Sequence, residues 1–372
     1  TITGDLGIDM LYGGIGNDVL NGGIGNDVLY GGDNSSTGSG NDIYMFARGY
    51  GQDTIYDYDS TAGNMDTVIM GSDVTPSDIE LTRTGSNLEL NIIGTTDKLI
   101  LANYFNGTTY QIEKIQFGDG TVWTSADILT KPIQQVGTSV GNMLYGAEGV
   151  DIINGLGGAD TIYGYGGNDV IDGGIGNDIV YAGTGNDSIT SGDGDDYVFG
   201  EVGDDTITGD LGIDMLYGGI GNDVLNGGIG NDVLYGGDHG SSGQGNDTYL
   251  FNRGYGQDTV YDYDTTAGNV DTVNFSEDRL NLIFAKTGSV LNVSIDGTTD
   301  QISISNWSSG ASYQTEVFQA SNGSQLLNTQ VDQLIQAMAS FTSNTGMGWS
   351  QAIYERPEDV KAVLAQYWSP VA

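Results

Sequence analysis

The sequence predicts an all-β chain in which stacks of very short strands alternate with small β-sandwich-like caps and the C-terminus forms short α-helices. Three observations carry that expectation. Ten nine-residue units follow one another without a gap from Gly146 to Tyr235, each with glycine at its fourth place, aspartate at its sixth and an aliphatic residue at its eighth. After each run of such units come stretches that alternate apolar and polar residues, as in Leu88-Glu89-Leu90-Asn91-Ile92 and Val293-Ser294-Ile295. Near the C-terminus glycine thins out, and Val331, Leu334, Ile335, Met338 and Phe341 recur at helical spacing.

Each unit joins a glycine-rich stretch of six residues to three with β-branched or leucine side chains, which reads as a tight turn and then a very short strand. Only the middle strand residue can point inward. One unit therefore buries almost nothing, and units must stack until their aliphatic residues form a continuous ladder. The first stack is expected over 1–46. It opens on Thr1-Ile2-Thr3, which repeats Thr206-Ile207-Thr208 at the end of a later unit, so the chain is expected to begin inside a longer stack. A cap is expected over 47–136, where alternating residues read as antiparallel strands with one buried face. The second stack is expected over 137–251, opening on a degenerate unit, Gly137 to Tyr145, with Asn142 in the aspartate place. Its cap is expected over 252–327, covering an edge that would otherwise invite aggregation. A helical segment is expected over 328–372. Its second helix starts at Pro357, which suits the first helical position, with Glu358 and Asp359 at the positive end of the dipole and Pro370 beyond its end.

A longer period overlies the short one. Thr1 to Asp33 recurs unchanged as Thr206 to Asp238, a shift of 205 residues. Gly49-Tyr50-Gly51-Gln52-Asp53-Thr54 answers Gly254-Tyr255-Gly256-Gln257-Asp258-Thr259, and Gly94-Thr95-Thr96-Asp97 answers Gly297-Thr298-Thr299-Asp300 at a shift of 203. The chain is a tandem array of stack and cap.

Charge bounds the function. With 50 acidic against 10 basic residues the formal charge is −40, which opposes compaction and rules against nucleic acid or an anionic membrane as a direct partner. Stacked turns bring carboxylates and backbone carbonyls together, an arrangement that like-charge repulsion forbids unless cations sit between them. Hard oxygen ligands at flexible spacing favour Ca²⁺ over Mg²⁺, which demands a stricter octahedron. There is no cysteine, so neither disulfides nor thiol chemistry is available. No segment approaches the length of an apolar membrane span, and no cleavable signal is seen at the N-terminus.

The pattern Gly-Gly-x-Gly-x-Asp-x-aliphatic-x, as in Gly218 to Asn226, resembles the calcium-binding repeat of the RTX, or haemolysin-type, proteins. That resemblance implies a parallel β-roll in which about eighteen residues complete a turn and multiple Ca²⁺ ions lie between successive turns, held by aspartate carboxylates and loop carbonyls. Fifteen positions match the ligand aspartate: Asp9, Asp18, Asp27, Asp42, Asp151, Asp160, Asp169, Asp178, Asp187, Asp196, Asp205, Asp214, Asp223, Asp232 and Asp247. Asp42 and Asp247 each follow a six-residue insertion. Asn103-Tyr104-Phe105 and Phe117 to Trp123 resemble the domain found after such repeats, which implies a capping role. The resemblance also implies a secreted, extracellular or surface protein that leaves the cell by a type I exporter, read from about the last fifty residues. The bland alternative for that tail is packing of Val360, Val363, Leu364 and Tyr367 on the last cap. Without Ca²⁺ the glycine-rich stack has too little apolar surface to offset chain entropy and self-repulsion, so folding and metal binding are expected to be one event.

Other chemistry finds little footing. The only histidine, His239, lies in an insertion and is replaced by Asn34 in the first copy, so it reads as a loop residue rather than a catalytic base. There is no His-Glu-x-x-His zinc motif, and acidic residues at nine-residue intervals are explained by calcium rather than by a glycosidase pair. No enzymatic activity is expected. Asp53, Asp57, Asp59 and Asp66, with their counterparts Asp258, Asp262, Asp264 and Asp271, form either an additional Ca²⁺ site between roll and cap or a hydrated acidic edge. Tyr12, Tyr30, Tyr217 and Tyr235 at the ninth place either stack between neighbouring rungs or bind sugar, with stacking favoured. Two rival functions remain. One is an adhesin, surface-layer or matrix array that self-associates or meets a cell-surface partner, and the other is the export and folding module of an upstream hydrolase or toxin.

Overall fold

The computed structural model describes residues 1–32, 40–61, 63–237 and 245–370. His239 and Asn34 fall outside them. The chain divides into two compact units, Thr1–Val136 with Gly146–Ile152, and Gly137–Tyr145 with Ile153–Ala372.

In the second unit successive nine-residue units lay their strands alternately in two parallel sheets. One sheet runs through Met143–Tyr145, Thr161–Tyr163, Ile179–Thr184, Tyr197–Val202, Met215–Ile220 and Val233–Tyr235. The other runs through Val170–Ile175, Ser188–Asp193, Thr206–Gly212 and Val224–Asn226. Ile162 pairs with Val180 and Ile189 with Ile207, so the register advances by two units per turn. The result is a parallel β-roll. Its core is the inward residue of each short strand: Ile162, Val180, Val198, Ile207, Leu216, Leu225 and Leu234 are all completely buried.

The turns close only because of what stands at the second and fourth places. Gly203 and Gly221 have φ of 147° and 144°, and a Cβ at Gly221 would lie 1.8 Å from the Gly203 carbonyl oxygen, so no other residue fits there. The second place also has positive φ, yet Asp5, Leu156, Tyr165, Glu201 and Asp210 occupy it at φ of 67–73°. Those five positions carry left-handed strain that glycine would not.

Outward-facing rings at the ninth place stack along one sheet. Tyr145, Tyr163, Tyr181, Phe199, Tyr217, Tyr235 and Tyr261 follow one another with centroids 4.6–5.4 Å apart and planes within 11°. Tyr12, Tyr30 and Tyr56 do the same in the first unit. In-register parallel strands place identical positions over one another, and the rings fill the rung spacing.

The caps grow out of the roll. In the first unit Gln52–Tyr56 pairs parallel with Val28–Tyr30, and Lys98–Leu101 adds parallel to it. In the companion sheet Ile43–Phe46, Thr67–Met70 and Lys114–Gln116 continue the parallel order after Val19–Asn21. Among the described residues of this unit antiparallel pairing enters with the hairpin Ile79–Thr84 and Asn87–Ile92, which joins Lys98–Leu101, and with Val122–Thr124 at the other edge. The second unit repeats this with Gln257–Tyr261, Gln301–Ile304 and the hairpin Leu282–Thr287 and Val290–Ile295. The alternating segment around Leu88 is thus antiparallel, but the strands before it are extra rungs of the roll rather than part of a separate sandwich. Asp97 explains why two distant motifs repeat together: its carboxylate accepts from the backbone N–H of Gly49 and Gly51, as Asp300 does from Gly254 and Gly256.

Helices Asn328–Thr345, Trp349–Glu355 and Pro357–Leu364 close the second unit. Val331, Leu334, Val360 and Leu364 are buried in its core, and Trp368 meets Phe284 edge-on at 6.1 Å. The middle helix has no periodic signature in the sequence, being only seven residues long. Among the described residues no helix is long and apolar enough to cross a membrane.

Candidate metal centre

The sixth-place aspartates form ladders one turn apart. In the second unit the N–H of Asn142 donates to Asp160 Oδ1, Asp160 to Asp178, Asp178 to Asp196, Asp196 to Asp214 and Asp214 to Asp232, at 2.6–2.9 Å. A second ladder runs from Asp169 through Asp187, Asp205 and Asp223 to Asp247 at 2.7–3.0 Å. In the first unit Asp9 donates to Asp27 and Asp18 to Asp42, both at 2.8 Å. The six-residue insertions before Asp42 and Asp247 leave this register intact. The carboxylate of Asp151, in the first unit, accepts from the backbone N–H of Ala147.

Eight of these rungs use Oδ1 on an amide and leave Oδ2 buried. Oδ2 of Asp27, Asp160, Asp178, Asp187, Asp205, Asp214, Asp223 and Asp232 is sealed from solvent without a hydrogen-bond partner. Beside it stands the first-place glycine, where the chain passes too close for any side chain. A Cβ at Gly209 would lie 2.3 Å from Asp214 Oδ2 and 2.4 Å from the Gly227 carbonyl oxygen, and Gly155 meets Asp160 Oδ2 and the Gly173 carbonyl in the same way. Buried carboxylate oxygens brought close to loop carbonyl oxygens are a hard-cation donor set, and they fit Ca²⁺.

The electrostatics point the same way. Burial, reinforced by neighbouring carboxylates and opposed by the amide hydrogen bond, pushes Asp214 and Asp223 up to about 8 and Asp187 to about 7. Asp178 is raised to about 6 by burial and by Asp196, Asp160 and Asp172. Such groups stay ionised in a dry, like-charged row only when a cation neutralises them.

The ladders do not stop at the last sequence match. Asp27 donates to Asp53 Oδ1 at 2.9 Å and Asp232 to Asp258 at 3.1 Å. Asp42 donates to Asp66 and Asp247 to Asp271, and Asp66 and Asp271 in turn donate to the carboxylates of Glu113 and Glu316. Asp53, Asp57, Asp66, Asp258, Asp262 and Asp271 are buried, so they are not a hydrated edge, while Asp59 and Asp264 are half-buried. No nine-residue spacing marks Glu113 and Glu316 in the sequence. Tyr44 and Tyr249 are legible there, each putting a hydroxyl at the inward eighth place two residues after Asp42 and Asp247.

A family model for the RTX calcium-binding nonapeptide repeat matches residues 3–37, 145–180, 173–207, 208–238 and 217–260. The haemolysin-type calcium binding protein related domain matches residues 87–127 and 291–330, on the hairpins and end strands described above. The repeats of this chain are thus RTX calcium-binding nonapeptide repeats over residues 3–37 and 145–260. RTX nonapeptide repeats bind calcium, and the proteins that carry them are generally secreted. The chain is 36% identical over 114 residues to the iron-regulated protein FrpA of Neisseria meningitidis serogroup C, an alignment covering 30% of the chain and 10% of that protein. It is also similar to the crystal structure of the extracellular lipase LipA from Serratia marcescens, at 15% identity over 81% of this chain and 36% of that one, with a TM-score of 0.18. The chain thus spans about a tenth of the curated relative and about a third of the lipase.

Proposed function

We propose that the fifteen repeat aspartates hold Ca²⁺ between successive turns, and that calcium binding and folding of the roll are one event. The observation that supports this is the row of buried Oδ2 atoms without partners, each beside a glycine that brings a loop carbonyl close. Leaving such oxygens charged and unpaired is costly, while a divalent ion between turns answers both the desolvation and the repulsion. If each matched aspartate stood for about one ion, some fifteen Ca²⁺ would supply about +30 against the formal charge of −40. Binding to the folded chain alone shifts the equilibrium toward it. A chain that stays open where calcium is scarce passes a type I exporter, with the C-terminal segment as its signal, and is locked in the calcium of the exterior. The organisation that goes with this is roll over 1–46, cap over 47–136, roll over 137–251, cap over 252–327 and tail over 328–372.

A second function is favoured by the 205-residue period, which suits a calcium-stiffened adhesin, surface-layer or matrix array that associates with other copies. Far-ultraviolet circular dichroism and light scattering across a calcium titration, with magnesium as control, test both. A cooperative gain of β-structure with calcium alone supports the folding switch, and particle growth at the same midpoint favours the array. A chain already β-structured in chelator would sink the switch.

A further inference from the structure

The two caps finish the outer side of their hairpins differently. In the first cap Ile79–Thr84 is flanked on both sides: Asn87–Ile92 pairs antiparallel with it, and Ile133 and Gln134 pair parallel with its Leu81 and Thr82. Ile133 is buried there. The corresponding strand of the second cap, Leu282–Thr287, pairs antiparallel with Val290–Ile295 and stands last in its sheet, with no further strand beside it among the described residues. The hairpin register says which backbone groups are left over. Asp296 N–H donates to the Asn281 carbonyl at 2.8 Å, which makes Leu282 and Ile295 a non-hydrogen-bonded pair. Ile283, Ala285 and Thr287 therefore bond within the hairpin, while Phe284 and Lys286 turn their N–H and C=O groups to the open side. Leu81, at the place of Phe284, is the residue that meets Ile133 in the first cap.

A groove runs along that edge. A cavity of about 490 Å³ is bounded by Phe284, Ala285 and Lys286 of the strand and by Ile335 and Met338 of the helix Asn328–Thr345, with Trp349 also lining it. Three consecutive strand residues, whose side chains alternate between faces, share one cavity only along the edge of their strand. Ala285 and Lys286 are exposed, whereas Thr82 and Arg83 at the same places in the first cap are half-buried. A lysine is a common guard on such an edge, yet the Lys286 ammonium is held by Asp332 of the helix at 2.5 Å.

We propose that the open edge Leu282–Thr287 and its groove bind an extended segment of another protein, which joins the sheet as a parallel strand. The first cap states the chemistry of the occupant: an apolar residue opposite Phe284, as Ile133 is opposite Leu81, then an uncharged polar residue opposite Ala285, as Gln134 is opposite Thr82. Main-chain hydrogen bonds to Phe284 and Lys286 give the affinity, and the apolar groove beside Ile335 and Met338 selects the side chain. A formal charge of −40 favours a neutral or basic segment, such as Lys131–Thr138 with its single lysine. Ile133 and Gln134 of this chain are already paired in the first cap, so the occupant comes from a different protein rather than from a second copy. The site uses no aspartate of the ladders and goes beyond the calcium reading.

The probe is a synthetic peptide with the sequence Lys131–Thr138, added to the full chain in saturating calcium. Residue-resolved hydrogen exchange is expected to slow about tenfold or more at Phe284 and Lys286 when the peptide is added, and to change little at Ile283, Ala285 and Thr287, which are already bonded in the hairpin. No slowing at Phe284 and Lys286 overturns the proposal. Full protection of both before the peptide is added overturns it as well, since a second copy then holds the edge. Titration calorimetry supplies the second arm. Lys286→Pro removes one outward N–H at an edge, where proline is tolerated, and is expected to weaken binding about tenfold, the worth of one backbone hydrogen bond. Lys286→Met keeps that N–H and is expected to stay within about threefold of wild type. Equal losses in the two variants assign binding to the lysine charge and overturn the added strand. A peptide carrying Ile133→Asp is expected not to bind, and binding as tight as the parent peptide overturns the apolar groove. If Lys286→Pro fails to fold, the exchange measurement on wild type decides.

Discussion

Replacing Asp214 and Asp223 together by asparagine probes the metal-free roll where the ladder is most perturbed. Burial raises both carboxyls to about 8 in the folded chain, against about 3.9 for an unfolded aspartate. Between those values each group takes up a proton on folding. Its contribution is therefore whole below about pH 4 and is lost as pH climbs to about 8, the reverse of an ion-paired aspartate. At pH 5–6 both groups lie well inside the window, so together they make stability fall by at most about 2.7 kcal/mol per pH unit, from about 1.36 kcal/mol for each proton. That slope depends on protons taken up and not on the full size of either shift. The calcium-dependent folding proposed above concerns neutral pH; at pH 5 and pH 6 protons on these carboxyls stand in for the ion, and urea unfolding in chelator there, followed by far-ultraviolet circular dichroism, measures the slope, with the range kept above the isoelectric point near 4.1. The double variant is expected to lose distinctly less stability per pH unit than wild type. Equal slopes would refute the argument, showing that the two carboxyls are hydrated or already ionised in the folded chain.

Other substitutions test the packing. Ile189→Ala empties one completely lined rung of the roll core and is expected to cost about 2–5 kcal/mol in calcium-saturated thermal or urea unfolding. Tyr181→Ala removes a ring stacked on Tyr163 at 5.2 Å and Phe199 at 5.0 Å and should cost about 1–3 kcal/mol with no change in the number of bound ions. A change in that number would contradict a purely structural stack. Leu156→Gly relieves a φ of 67° at an exposed second place and should be neutral or stabilising by up to about 1 kcal/mol. Gly219→Leu is expected to do the opposite by more than about 1 kcal/mol, since a Cβ there would lie 2.1 Å from the Glu201 carbonyl oxygen. Matching melting temperatures for those two variants would remove the backbone argument.

Much of the roll was legible because its rule is local. Glycine at the fourth place, aspartate at the sixth and one inward aliphatic residue at the eighth state the turn, the polar edge and the core of every rung, and stacking of equals then sets the parallel register. The same locality explains what could not be read. The partners of Asp27 and Asp232 are 26 residues on, and Asp66 and Asp271 meet glutamates 47 and 45 residues away. No spacing in the sequence states where a chain returns after a hairpin of its own.

The sequence by itself determined the repeating unit, the row of aspartates and the duplication of roll and cap, because each follows from short-range sterics and a fixed period. Only the tertiary structure decided that the cap strands take the next rungs and that Asp53, Asp66, Asp258 and Asp271 prolong the ladders. Those contacts depend on the open edge of the roll. Its unpaired backbone groups and exposed apolar end accept whichever later strand matches the rung, and that strand brings its carboxylates with it.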